Sequence, residues 1–181
     1  MPTHPMLALH ERLDRTPVWE RSVHLRRGEP LVLAGTLDRN LYRVDRGVLA
    51  SCREVSGEQQ YMRFGYAGDY IMSVDCHITG QPSAYSLVAL RKTEVAVARP
   101  ADYAAWLRED RANAVVWQSA KDWLIMGLLE REVDLLTASP EERYRRVLER
   151  SPRLFQEVPA KYIANYLRMT PETLSRLKKE G

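Results

Sequence analysis

Basic side chains are concentrated near the C-terminal end of the chain, where their charge suits a polyanionic partner. From Ser139 to Gly181 there are ten Lys/Arg against six Asp/Glu, whereas the rest of the chain has seventeen against eighteen. The net charge of +3 therefore comes entirely from this last quarter. A basic segment on a near-neutral body indicates nucleic acid or another polyanion as a partner. The alternative is an ordinary solvated helical surface.

The residue types near the end of the chain match the hydrogen-bonding groups of DNA. Arg176 can donate paired hydrogen bonds to O6 and N7 of guanine, and Glu172 can accept one from N4 of cytosine. One good bidentate contact discriminates between bases by about 1–3 kcal/mol. Lys178 and Lys179 lie further along and suit phosphate oxygens. The predicted DNA-contacting residues are Thr170, Pro171, Glu172, Thr173, Ser175, Arg176, Lys178 and Lys179.

A short helix is needed to hold these side chains on one face. Thr170 is a natural N-cap, Pro171 suits the first helical position, and Glu172 suits the positive end of a helix. Leu174 and Leu177 are three residues apart, so they share a face and are predicted to point inward. The polar residues are then left on the outer face of the helix.

A second short helix precedes this one and is separated from it by a tight turn. Pro159 begins it, and Ile163, Ala164 and Leu167 form its apolar face. Two short helices joined by a tight turn, with basic residues on the outer face of the second, indicate a helix-turn-helix. The second helix of that motif fits the major groove of B-DNA. The alternative is a helical hairpin that only caps the core.

The first hundred residues favour β-structure. Short apolar segments are separated by turns about every ten residues, and the turn signals include Gly47, Ser56-Gly57 and Gly68-Asp69. This spacing predicts an all-β barrel or sandwich and disfavours βαβ units.

A long helix is predicted between the β-rich segment and the C-terminal helices. The stretch from about Arg111 to Leu136 contains no proline and only one glycine. Around Trp123 to Leu129 it is apolar on almost every face, so we expect it to be buried on two sides. One side can be its own β domain, and the other a second copy of the chain across a two-fold axis. The alternative is burial within one chain.

The residues after this helix predict a further helix and then a loop. Ser139 as N-cap, Pro140 at the first helical position and Glu142 three residues after the cap form a capping box. Leu154 and Phe155 are expected to pack the loop that follows.

In this order, the segments resemble the Crp/Fnr family of transcription regulators. The sharpest match is "YIANYLRMTPETLSR", and the glycine turns are a weaker one. The resemblance implies an α+β chain with three parts. These are a double-stranded β-helix (a jelly-roll β-roll of the cyclic-nucleotide-binding type) over 1–110, a long dimerisation helix over 111–138, and a helix-turn-helix domain over 139–181. It implies a homodimeric, non-enzymatic regulator that binds a palindromic operator in double-stranded DNA through a recognition helix over 171–179.

The resemblance leaves two further partners open, RNA polymerase and an effector that gates DNA binding. Cyclic-nucleotide binders of the family carry Gly-Glu and later Arg-Ser/Thr-Ala, whose arginine pairs with the cyclic phosphate. The resemblance assigns the effector pocket to Gly68, Asp69, Ser83 and Ala84, with Asp69 in place of the glutamate. Pro82 occupies the arginine position, so an enclosed phosphate would lack a counter-charge. We therefore expect no cyclic-nucleotide cofactor, and a pocket that is empty, structural or adapted to another ligand.

Two further features depart from the family pattern. Only Glu180 and Gly181 follow Lys179, so we expect the β-hairpin wing of many relatives to be absent or truncated. Arg168 lies in a turn where the family often has glycine, and a left-handed non-glycine residue costs roughly 1 kcal/mol. The candidates for phosphate contacts that replace the wing are Arg143, Arg145, Arg146 and Lys161.

Other functions have weaker support. Cys52 and Cys76 form no CxxC pair and the four histidines form no HxH or HxxxH pair, so no metal or iron–sulfur site is predicted. No phosphate-binding loop, nucleophile elbow or carboxylate pair indicates catalysis. The longest apolar run is too short to span a bilayer and no signal peptide is evident, so we expect a cytoplasmic protein without membrane contact.

Two alternatives to a DNA-binding regulator stay open. In the first, a small-molecule sensor, for a cyclic nucleotide or another ligand, has its main function in the β-roll. In the second, a β-barrel enzyme or scaffold uses the terminal helices only for packing. Arg176→Ala separates DNA binding from packing, because only a DNA-binding protein would lose selective binding.

Overall fold

The computed structural model describes residues 5–180; residues 1–4 and 181, the outermost residues of the predicted segments 1–110 and 139–181, lie outside the described part. The helices are α1 (Pro5–Leu13), α2 (Val74–Thr79), α3 (Pro100–Glu109), α4 (Arg111–Leu136), α5 (Pro140–Arg150), α6 (Pro152–Glu157), α7 (Ala160–Tyr166) and α8 (Pro171–Glu180). The strands are β1 (Trp19–Leu25), β2 (Pro30–Val32), β3 (Leu41–Arg46), β4 (Val48–Val55), β5 (Glu58–Tyr66), β6 (Tyr70–Ile71), β7 (Ser86–Ala89) and β8 (Thr93–Ala98).

The strands form a β-roll of two antiparallel sheets, in the orders β1-β8-β3-β6 and β2-β7-β4-β5. Val44, Leu49 and Val95 lie in the core between the sheets. A tight turn at Gly47 joins β3 to β4 with φ +90°, and a Cβ there would lie 2.5 Å from the carbonyl oxygen of Lys92. Glycine is therefore required at this turn. The predicted β-roll is confirmed.

The long helix α4 has the bounds that its sequence pattern predicted. Asp110 caps it by accepting a hydrogen bond from the backbone N–H of Ala112 at 2.9 Å. Trp117 and Ala120 pack against the core that α1 and α3 form beside the β-roll. On another side of α4, Met126, Leu129 and Val133 are exposed in the structure of residues 5–180. None of the helices in residues 5–180 combines the length and hydropathy that a bilayer span requires.

The segment after α4 differs from the prediction in one place. The side chain of Ser139 accepts a hydrogen bond from the N–H of Glu142 at 3.2 Å, so α5 begins at its predicted cap. The prediction that Leu154 and Phe155 pack a loop is wrong, because both residues lie in helix α6. Pro152 suits the first position of that helix, and Leu154 is buried in the core.

The C-terminal helices pack directly on the second sheet. A single core spans both parts, and partly buried aromatic residues of β5 and α7 surround it. The helix-turn-helix and the β-roll are therefore held against each other by apolar contacts. The members of this shared core are Val48, Ala50, Leu90, Val147, Leu154, Val158, Ile163, Ala164, Leu167 and Leu174.

Candidate nucleic-acid interface

The predicted recognition helix is present as α8, with the predicted cap. The hydroxyl of Thr170 accepts a hydrogen bond from the N–H of Thr173 at 3.2 Å, and Pro171 is the first helical residue. Leu174 and Leu177 are buried, at 0% and 4% exposure. Because these leucines lie on the inner face, the polar residues of α8 are turned outward.

The turn between α7 and α8 is tight and contains a left-handed residue. Arg168 has φ 55°, and the next residue, Met169, donates its N–H to the carbonyl of Ala164 at 3.0 Å. A non-glycine residue in this conformation costs about 1–2 kcal/mol. The structure therefore has the strained turn that the sequence allowed, with the Arg168 side chain extended over the surface to Gln60.

Four polar side chains of α8 share one exposed face. Glu172, Ser175, Arg176 and Lys179 are exposed, and Pro171 lies beside them at the start of the helix. Their spacing of three and four residues keeps them within one stripe of the helix. We call Glu172, Ser175, Arg176 and Lys179 the reading face. It offers donors and acceptors that match base edges and phosphates.

The other predicted contact residues lie beside the reading face rather than on it. Thr173 is partly buried, and its hydroxyl lies 3.1 Å from that of Thr170, so the two share a hydrogen bond at the helix cap. Lys178 is exposed on the flank, with Nζ 5.9 Å from the ring centroid of Phe155. Thr173 therefore takes part in the helix cap, and Lys178 lies to the side of the exposed stripe.

The four cations proposed to replace the wing fall into two groups. Arg143 is buried, and the charge of the partly exposed Arg146 is already paired with Asp134 at 3.3 Å and Glu130 at 3.2 Å. Arg145 and Lys161 are exposed. Only the exposed pair is therefore placed to meet a phosphate, and sequence spacing could not make that distinction.

The residues assigned to the effector pocket belong to two separate hydrogen-bond networks. Asp69 follows Gly68 in the turn after β5, and its carboxylate accepts from the N–H of Tyr66 at 2.9 Å. Burial raises the pKa of Asp69, while that hydrogen bond opposes the rise. Ser83 and Ala84 instead bond to the first turn of α2. No hydrogen bond between these two pairs is present within residues 5–180.

Ser83 and Ala84 are hydrogen-bonded to a carboxylate of the chain itself. The hydroxyl of Ser83 donates to Oδ1 of Asp75 at 2.7 Å, and the N–H of Ala84 donates to Oδ2 at 2.7 Å. Partial burial raises the pKa of Asp75, but the bonds from Ala84 and Ser83 outweigh it and lower the pKa overall. An internal anion therefore occupies these donors. Asp75 was not among the residues predicted for the effector pocket, because the sequence shows only an acidic residue eight positions before a Ser-Ala pair.

No metal-binding cluster is evident in the described part of the chain. Residues 5–180 contain no group of three His, Cys, Asp or Glu side chains arranged to hold a metal ion. Cys52 is buried and its pKa is raised to about 11 by burial, so its thiol is a poor nucleophile. His77 lies 3.0 Å from the hydroxyl of Tyr103, and burial lowers the pKa of its ring.

Comparison with known proteins identifies the fold through structure rather than through sequence. No protein-family model matches the chain, and no curated protein matches it in sequence. FixK2 from Bradyrhizobium japonicum is 19% identical, with 88% of this chain and 83% of that chain covered and a TM-score of 0.73. A CooA mutant from Carboxydothermus hydrogenoformans is 16% identical, with 99% and 84% covered and a TM-score of 0.74.

A third similar structure carries a functional description. TTHB099 from Thermus thermophilus, a transcriptional regulator of the CRP family, is 19% identical, with 87% and 83% covered and a TM-score of 0.63. At these identities the likeness establishes the fold. The predicted α+β fold, a β-roll of the cyclic-nucleotide-binding type followed by a long helix and a helix-turn-helix, is confirmed.

Proposed function

We propose that the chain is a Crp/Fnr-type transcription regulator that binds double-stranded DNA as a homodimer and recognises a palindromic operator through α8. The observation that carries this proposal is the reading face. Its four polar residues are exposed along one stripe of α8, while Leu174 and Leu177 anchor the opposite side. A helix held in this way can enter the major groove with its side chains against base edges.

Exposed apolar residues on α4 support the homodimer. Val115, Met126, Leu129 and Val133 are 56%, 56%, 50% and 45% exposed, and spacings of eleven, three and four residues place them on one stripe. Such a stripe on a long helix is suited to pairing with its own copy across a two-fold axis. Two recognition helices would then meet two half-sites about one DNA turn apart, roughly 34 Å.

The carboxylate of Asp75 makes a cyclic nucleotide an unfavourable effector for this chain. An incoming cyclic phosphate would have to displace a carboxylate that already accepts from Ser83 and Ala84, and Pro82 offers no cation in return. DNA binding in our proposal therefore needs no cyclic nucleotide, and any effector acts elsewhere. The proposed role is that of a regulator and not of an enzyme, with DNA in the cytoplasm as its partner.

Selection of binding sites from fragmented genomic DNA tests the proposal. Purified protein should recover a two-fold symmetric motif with a G·C pair in each half-site, and Arg176→Ala should lose it. Arg27→Ala is the matched control, because Arg27 is an exposed arginine of the β-roll and its loss changes the net charge equally. Recovery of unpatterned fragments by the unaltered protein, or an equal effect of both substitutions, would contradict sequence-specific recognition by α8.

A further inference from the structure

Among the strands of residues 5–180, β5 has one edge that pairs with no other strand. It is the last strand in the order β2-β7-β4-β5, so its outer N–H and C=O groups need partners from elsewhere. Asn165 of α7 supplies two of them. Its Oδ1 accepts from the N–H of Tyr61 at 3.0 Å, and its Nδ2 donates to the carbonyl of Gln59 at 3.0 Å. The side-chain amide thus takes the place of a peptide group from a neighbouring strand.

Further contacts hold α7 against β5 and against α4. Arg168, just after α7, donates to Oε1 of Gln60 at 2.5 Å. The ring centroids of Tyr61 and Tyr162 are 4.9 Å apart. Arg131 of α4 donates to the carbonyl of Tyr166 and stacks on its ring at 3.7 Å. In addition to the shared apolar core, polar and aromatic contacts therefore join α7 to β5, and Arg131 joins α7 to α4.

The position of α7 determines the direction of α8. Ile163, Ala164 and Leu167 of the first helix share one core with Leu174 of the second, and the turn between the helices is only a few residues long. The reading face remains exposed while α7 is docked. Docking therefore orients the recognition helix and does not cover it.

We propose that Asn165 is a positioning residue that pairs with the edge of β5 and fixes the recognition helix relative to the β-roll. This inference rests on the proposed function. Two recognition helices on one operator must keep a fixed spacing, so a loosely held α8 would still meet phosphates but would lose simultaneous base contacts.

The test compares Asn165→Ala with Asn113→Ala in the full chain. Asn113 is a suitable control because its amide also makes two side-chain hydrogen bonds, to Arg12 and to the carbonyl of Trp106, far from α7. Hydrogen–deuterium exchange of the β5 peptide should accelerate in Asn165→Ala alone. Operator affinity should fall about tenfold, the equivalent of two modest hydrogen bonds, while affinity for random DNA of equal length stays within about twofold.

Each other outcome overturns the inference. Unchanged exchange of β5 would mean that Asn165 does not hold the strand edge, and this readout needs no DNA, so it stays interpretable if the chain selects no operator. Higher operator affinity would mean that docking inhibits binding. Equal losses on operator and random DNA would indicate a general stability effect. If Asn165→Ala does not fold, Asn165→Asp keeps the acceptor for Tyr61 but sets a carboxylate oxygen against the carbonyl of Gln59, so it should change exchange and operator affinity in the same direction.

Discussion

Removing the Asp75 carboxylate should destabilise the β-roll by an amount that the structure allows us to estimate. Asp75→Ala deletes two hydrogen bonds to a charged acceptor, and such bonds contribute about 1.5–3 kcal/mol each when shielded from water. Asp75 is only partly buried, and the buried hydroxyl of Ser83 retains a contact with the carbonyl of Tyr85 at 3.1 Å. We therefore expect a loss of about 2 kcal/mol in the free energy of unfolding.

A double-mutant cycle in urea measures whether that loss comes from the Asp75–Ser83 contact. Asp75→Ala and Ser83→Ala should show a coupling energy of about 1 kcal/mol. Thr79→Ala is the control partner, because the Thr79 hydroxyl donates to the backbone carbonyl of Asp75 at 2.7 Å and not to its carboxylate. A coupling below about 0.5 kcal/mol, or one equal to the Thr79 control, would refute the assignment of an internal anion.

The pH dependence of the same variant gives an independent check. The folded chain lowers the pKa of Asp75, since the hydrogen bonds from Ala84 and Ser83 outweigh the effect of partial burial. The carboxylate therefore stabilises the fold fully above its unfolded pKa of about 3.9, and this contribution is lost as the pH falls through the lower folded value. The stability gap between the unaltered protein and Asp75→Ala should be constant near neutral pH and should narrow below about pH 4.

Two further predictions concern α4 and the turn between β3 and β4. Leu129→Glu should dissociate the proposed dimer in sedimentation equilibrium, because it places a charge on the apolar stripe of α4. Leu37→Glu is the control, because Leu37 is an exposed leucine elsewhere in the chain and its replacement should leave the dimer intact. A dimer that survives Leu129→Glu would contradict pairing through this stripe. Gly47→Ala should reduce the free energy of unfolding by about 2–3 kcal/mol, because strain at φ +90° adds to a close approach to the Lys92 carbonyl. Gly57→Ala meets only the strain at φ +79°, so it should cost about 1 kcal/mol, and equal losses for both would refute the steric argument.

Local sequence predicted the elements of the C-terminal helix pair well. Ser139 and Thr170 cap their helices through hydrogen bonds to residues three positions on, so the relevant geometry is contained in a few consecutive residues. The inward face of α8 followed from the spacing of Leu174 and Leu177. Helix α6 was missed because its formation depends on the burial of Leu154 in a core shared with distant strands.

The electrostatic partners could not be predicted in the same way. Arg143, Arg145 and Arg146 lie within four residues, yet only Arg145 is exposed. Arg143 faces the interior, and Arg146 faces α4 where α4 and α5 meet. Where α4 and α5 meet, the side chain of Asp134 is fully buried and forms ion pairs with Arg150 at 2.5 Å and with Arg146 at 3.3 Å. Such pairing depends on the angle between two helices, which the sequence of neither helix specifies alone.

The sequence by itself determined the order of the segments, the bounds of α4, the capped helix pair and the polar residues of α8, because periodicity and capping act over one or two helical turns. Only the tertiary structure decided that Asp75 occupies the donors of Ser83 and Ala84, and that Asn165 binds the edge of β5 more than a hundred residues away in the chain. Those contacts form where separate elements meet, and the free energy of burying the shared apolar core is what brings the elements together.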